Sequence, residues 1–462
     1  MTPQFLIRVS AIVTFVFASV VFAGESDVDA AVRDRASHFA EKDWGYIYYL
    51  SLHPHAGDAA KDLERAIRLV VASDTTQQVL ERAVPVKVTT GLYRIDLRDL
   101  GWRYEDWYEV AYKRNPYALD QMPLIVRADW LLLEMSDRQD SDTYDRLIFG
   151  GNNLPKTDKD VLKFFKVIED PTLTFGIIEG QSGVSVQGTR RAESLPSPRG
   201  YAWRTRDVLK LDERRDPVEH PDGNSPFDGS EGIIGMPKLS ITTGKRGTLQ
   251  WYWLNNGKGE LVSRAPVDLV RDSTRFRHLD EIRRAGSCIQ CHTEGLNSFT
   301  RNEFKELIKA GVNIFANEKD RQLLEAFHLS DLKTEISRAN DDFQSMVELA
   351  CGCKSADAVK SFTAAVNRYD APLSLQDTAE ELNVDAKLWT QVLSTNVDLP
   401  ARLASLPHGG KIPRVAWEEG FRPAFYATHG GQPIKRQVDA QQQAKPAEKQ
   451  PAEKQNNSGH RR

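Results

Sequence analysis

Residues 288 to 292 read Cys288-Ile289-Gln290-Cys291-His292, and their types and spacing point to one chemistry. Two thiols at this separation can each form a thioether bond to one of the two vinyl groups of a single macrocycle. The imidazole directly after the second thiol is placed to bind the iron from the same face. This is the attachment pattern of haem c. The expected cofactor is one covalent haem c on Cys288 and Cys291, with His292 as the proximal iron ligand. The chain holds no second Cys-x-x-Cys-His, so a single haem centre is expected. The competing reading is a fortuitous structural or metal-binding cysteine pair.

The residue on the opposite axial side of the iron would set the mechanism. A Met or His there makes an electron carrier, and an open position lets a small molecule bind. Met346, His53 and Met236 are the candidates. Met346 lies downstream at a spacing familiar from small soluble cytochromes, and its other reading is a core methionine on a helix over 331–349. His53 follows Tyr49-Leu50-Ser51-Leu52, and its other reading is a loop or capping residue. Met236 reads more readily as core packing. His278 stands so close before the motif that an approach from the opposite face is awkward.

Covalent haem requires export, and the N-terminus reads as an export signal. Arg8 gives a positive start, residues 9–22 are apolar, and Val21-Phe22-Ala23 suits cleavage. The apolar run falls short of the roughly 20 residues of a spanning helix. An uncleaved anchor is the competing reading. A periplasmic or secreted location is expected, with no transmembrane span in the mature chain. The other end, 431–462, is rich in Gln, Lys, Glu, Pro and Ala and repeats Pro-Ala-Glu-Lys-Gln. It buries too little to offset its ordering entropy, so disorder is expected. A formal charge of −4 argues against nucleic acid and a polybasic membrane surface.

Other features carry weaker chemistry. Cys351 and Cys353 flank Gly352; in an oxidising compartment a mutual disulfide is the default. A copper or other thiolate site with Met346, a free reduced pair and an intermolecular bridge are the alternatives. Asp222, Asn224, Asp228 and Glu231 could hold calcium but lack a recognised spacing, which favours a solvated turn. Arg190-Arg191 could reach haem propionates, with a solvated surface pair the safer reading. Nine tryptophans are explained by core packing.

These residues need elements to position them. Periodicity predicts helices over 26–50 and 58–83. Tyr93, Ile95 and Leu97 alternate with Arg94, Asp96 and Arg98, which predicts a strand. Short helices fit 104–113, 142–149 and 158–168, and 124–135 is strand or helix. From 171 to 270 the text is Gly-rich and strand-like, with a strong strand at Leu249-Gln250-Trp251-Tyr252-Trp253-Leu254. Helical periodicity returns from 294 and runs through 331–349, 354–369 and 374–427. The expected fold is α+β: a signal at 1–23, a mixed helix and antiparallel-strand part at 24–270, and a mainly helical, cytochrome c-like haem-binding part at 271–430, the motif opening a helix.

Several phrases occur together in order: Leu92-Tyr93-Arg94-Ile95-Asp96-Leu97-Arg98 with Gly101-Trp102, Val126-Arg127-Ala128-Asp129-Trp130, Ser182-Gly183-Val184-Ser185, Gly200-Tyr201-Ala202-Trp203, Glu231-Gly232-Ile233-Ile234 and Tyr369-Asp370-Ala371-Pro372-Leu373-Ser374-Leu375. With the Cys-x-x-Cys-His motif, this order resembles a family of large monohaem c-type cytochrome-like exported bacterial proteins, over most of 45–427. The resemblance implies haem c, export and a two-part architecture, and no named activity. The chain departs from the family pattern at Val186-Gln187-Gly188-Thr189-Arg190-Arg191 and at Met236-Pro237-Lys238-Leu239-Ser240. The leading expectation is periplasmic one-electron transfer to and from a redox partner protein. The alternative is a haem enzyme or small-molecule sensor, because a pure carrier needs only on the order of 100 residues. No catalytic residue is assigned.

Overall fold

The computed structural model describes residues 25–119, 122–136, 141–168, 175–179, 190–197, 200–207, 227–272, 274–298, 310, 332–396 and 398–430. The expected signal and tail lie outside these residues, as does the helix expected beyond 298 up to 331. With 51% helix and 19% strand the architecture is α+β.

The first strand corrects the sequence reading. Helix α1 (Glu25–His38) ends well before residue 50, and Ile47–Ser51 forms strand β1, buried at every position. β1 is an inner strand of a sheet ordered β2-β3-β1-β4. With both faces covered, its sequence lacks the alternation that marks a half-exposed strand. Helix α2 (Gly57–Ser73) turns Leu63, Ile67, Val70 and Val71 inward. Strand β2 (Val86–Lys87) pairs antiparallel with β3 (Leu92–Asp96), and β3 pairs antiparallel with β1. β4 (Ile125–Arg127) lies parallel to β1. The undecided 124–135 stretch is strand followed directly by helix α3 (Ala128–Ser136), which is buried throughout.

Helices α4 (Thr143–Phe149) and α5 (Asp158–Phe164) lead to a second sheet. Its strands β5 (Phe175–Glu179), β6 (Arg190–Ser197), β7 (Gly200–Asp207), β8 (Gly229–Leu239) and β9 (Arg246–Asn256) follow one another in space, every pair antiparallel. Register decides which side chains share a face. Trp203, Ile233 and Tyr252 stand opposite one another across β7, β8 and β9, as do Thr205, Glu231 and Leu254. The other face carries Ile234, Met236, Trp251 and Trp253, which pack with Tyr144, Phe149 and Val161.

Helix α6 (Gly286–Cys291) carries the motif. After it come α7 (Leu332–Cys351), α8 (Ser355–Asp370), α9 (Leu375–Leu382), α10 (Ala386–Thr395) and α11 (Arg414–His429). α7 packs on β9 and α8 packs on α2. One apolar cluster runs from Tyr48 through Trp130, Tyr252 and Cys288 to Phe425, so core residues on both sides of position 270 pack together. A buried ionic knot joins the same two regions. Arg127 of β4 donates to both carboxylate oxygens of Glu381 on α9, at 2.6 and 3.0 Å, across 254 residues of chain. Arg127 also binds Asp129, and Arg414 of α11 binds Glu381 at 2.6 Å. Among the described residues no helix is long and apolar enough to cross a membrane.

Candidate haem-attachment site

The motif does not open a helix as expected. Cys288 and Cys291 lie within the short helix α6, and His292 is the residue that ends it, with φ −95° and ψ 44°. The lead-in is strained. Ala285 takes a φ of 67°, in the left-handed region that a Cβ disfavours. Gly286 allows close packing: a Cβ there would lie 2.4 Å from Phe276 and 3.0 Å from the Ser136 carbonyl oxygen.

The turn after the helix orients the imidazole. His292 Nδ1 lies 2.9 Å from the Gly295 carbonyl oxygen. A carbonyl only accepts, so Nδ1 carries the hydrogen and Nε2 keeps its lone pair. Gly295 has a φ of 111°, and a Cβ on it would come within 2.4 Å of Asn340 Oδ1. Asn340 of α7 reads both backbone groups of the next residue. Its Oδ1 accepts from the Leu296 N–H at 2.6 Å, and its Nδ2 donates to the Leu296 carbonyl at 2.8 Å. Gln344, one turn on, donates to the Glu294 carbonyl at 3.0 Å. The long helix thereby holds the turn that holds the histidine.

The second sheet supplies the surroundings. The Tyr252 ring packs against the His292 ring with centroids 5.8 Å apart and planes 27° apart. Tyr252 Oη donates to Gln250 Oε1 at 2.8 Å, and Gln250 Nε2 donates to Tyr201 Oη at 2.9 Å. On the same sheet face Glu231 binds Arg190 at 2.6 Å, and Arg190 makes a two-point pair with Asp207 at 2.8 and 3.1 Å. Burial lowers the proton affinity of His292, partly opposed by the charge of Glu231, so the ring is held below the ordinary histidine range. A neutral imidazole is the form that ligates a metal. Burial and Glu231 push both thiols up, Cys288 most strongly. Asn297 Nδ2 approaches Cys291 Sγ at 3.6 Å.

Both cysteines are unbonded thiols. Two free thiols, a neutral histidine with a fixed tautomer and an aromatic neighbour fit the donor set that haem c requires. Among the described residues no three His, Cys, Asp or Glu side chains gather as a metal site of their own. No protein-family model, no curated protein and no solved structure matches the chain. The resemblance to monohaem proteins therefore rests on the quoted phrases alone.

The remaining candidates lie on different elements, Met346 in the same apolar cluster as Tyr252 and Cys288. Met346 is fully buried, its Cγ 2.8 Å from where a Cβ on Gly247 would stand. Met236 is three residues beyond Ile233, so it lies on the sheet face away from Tyr252 and packs with Trp251 and Trp253. His53 neighbours Asp27, Arg127, Asp129 and His55, and burial pushes its proton affinity down. The His278 side chain, Asp222 and Asn224 lie outside what the structure describes. Glu231 belongs to a strand and is ion-paired, so it is no part of a solvated turn. Arg190, expected at the surface, is buried at 6% exposure because β6 turns it onto two carboxylates. The Arg191 side chain is not described.

The expected Cys351–Cys353 disulfide is not formed. Cys351 ends α7 and faces the core, while Cys353 lies past Gly352 and is half-buried. Sequence reasoning missed Tyr252, Gly295 and Asn340. Only Gly295, three residues after the motif histidine, left a readable signal.

Proposed function

We propose that this chain is an exported, monohaem c-type cytochrome that passes single electrons between partner proteins, with its helical part acting as the cytochrome c-like half. Cys288 and Cys291 would hold the haem by thioether bonds, and His292 Nε2 would ligate the iron. The observation that carries the reading is the His292 Nδ1 to Gly295 hydrogen bond beside two unbonded thiols. It commits the ring to present Nε2 as a lone-pair donor before any ligand arrives. A bound haem supplies a ferric/ferrous couple. The chain's part is to orient the imidazole through Asn340 and Gly295 and to cover it with Tyr252, beside which Trp203 and Ile233 stand in register on the sheet.

The place of Met236 on the sheet face away from Tyr252 favours a second reading, an open iron position that binds a small molecule. Ferric and ferrous spectra with and without carbon monoxide separate the two. Low-spin iron indifferent to carbon monoxide supports the carrier. High-spin iron that binds it readily supports the sensor or enzyme. A chain that takes up no covalent haem in cells with the attachment machinery overturns both.

A further inference from the structure

Among the described residues, Glu231 and Arg190 act on His292, Glu231 and Asp272 on both cysteines, and Arg190 on Cys291. They do not balance. Arg190 is already neutralised by its two-point pair with Asp207, which is 2% exposed. Glu231, with its side chain 19% exposed, binds the same guanidinium at 2.6 Å and adds a second negative charge. Asp272 is 5% exposed; its Oδ1 accepts from the Thr274 amide and hydroxyl, and its Oδ2 has no hydrogen-bond partner among the described residues. Among the described residues that act on the site, the cation Arg190 meets the carboxylates of Asp207 and Glu231, and Asp272 adds a further negative charge beside the cysteines.

We propose that Glu231, in its triad with Arg190 and Asp207 and together with Asp272, holds the reduction potential of the iron bound at His292 low. The inference rests on the haem reading above. The physics is Coulombic. Ferric iron carries one more positive charge than ferrous iron, so a fixed negative charge stabilises the oxidised form. A partly dry site makes that preference stronger than it would be in water. Glu231 is the tuning charge for two reasons. The sheet register places it on the Tyr252 face, and the guanidinium nearest to it is shared with Asp207. The fold keeps the triad in place from three strands at once, β6, β7 and β8. A centre with this surround is a better electron donor than acceptor toward its partner.

The test is a spectroelectrochemical titration of the haem-loaded full chain, native and with Glu231→Gln or Asp272→Asn. The expected result is an upward shift of the midpoint potential in each variant, larger for Glu231→Gln, with unchanged axial-ligand spectra. A native protein loaded with haem whose potential stays level or falls in both variants overturns the inference and leaves the haem reading standing. A native protein without covalent haem overturns the reading and the inference with it. Asp272→Asn decides the matter if Glu231→Gln fails to fold, because Asp272 lies outside the triad.

Discussion

His292 Nδ1 and the Gly295 carbonyl oxygen stand 2.9 Å apart, and this contact sets which ring nitrogen is free. It depends on Gly295 holding a φ of 111° against Asn340. A side chain is disfavoured there on both counts, backbone conformation and space. Gly295→Ala is expected to lower the fraction of chains carrying haem, measured as absorbance ratio of the haem band to protein. Unchanged loading would show that the turn is not what orients the ligand.

Asn340 tests the same turn from the other side. Its amide satisfies both backbone groups of Leu296, and this half-buried pair of hydrogen bonds contributes roughly 1–3 kcal/mol. Asn340→Ala should lower stability by about that amount in denaturant titration. It should also let added imidazole compete more easily with His292. Asn340→Asp, which keeps one acceptor, should fall between the two.

The ionic knot governs stability. Glu381 accepts from Arg127, Arg414 and Trp417 Nε1, the last at 2.7 Å. Glu381→Leu leaves two buried guanidinium groups short of a counter-charge, so a loss of about 3–5 kcal/mol is expected. The pH sign follows. Burial works against ionised Glu381, but Arg127 and Arg414 hold its carboxyl below the ordinary range. A depressed carboxylate gives stability that is present above the unfolded value, about pH 4, and is lost as pH falls through the folded value. The native protein should therefore weaken below about pH 4, and Glu381→Leu should show less of this acid loss.

Asp74 should behave in the opposite sense. It is fully buried and neither carboxyl oxygen has a hydrogen-bond partner among the described residues. Burial pushes it well up, Asp145 adds to this, and Arg284 and Lys238 oppose it. Above about pH 4 the unfolded chain gives up this proton while the folded chain keeps it, so stability falls as pH rises. Asp74→Asn removes that slope. Its stability relative to native should improve from pH 4 to pH 7, read by denaturant titration at each pH; a constant difference would contradict the assignment.

What could be read from the sequence was local. The motif, the strand around Trp251 and the amphipathic helix containing Leu63 and Ile67 declare themselves through spacing alone. β1 did not, because a strand buried on both faces shows no alternation. The Arg127–Glu381 pair did not either. Val126-Arg127-Ala128-Asp129-Trp130 was visible as a phrase, but its partner lies 254 residues away. Arg190 read as part of a solvated surface pair and Glu231 as part of a solvated turn; only the pairing of three strands shows that they meet. Cys351 and Cys353 are close in sequence and both pack on the same cluster, yet they stand as free thiols, which spacing alone did not show.

The central claim is tested most directly by intact-mass measurement of the chain made in cells with haem-attachment machinery, taken under denaturing conditions. One haem should remain bound to the native chain, and none to the variant carrying Cys288→Ala and Cys291→Ala. A native chain without haem, or a double variant that keeps it covalently, would contradict the account.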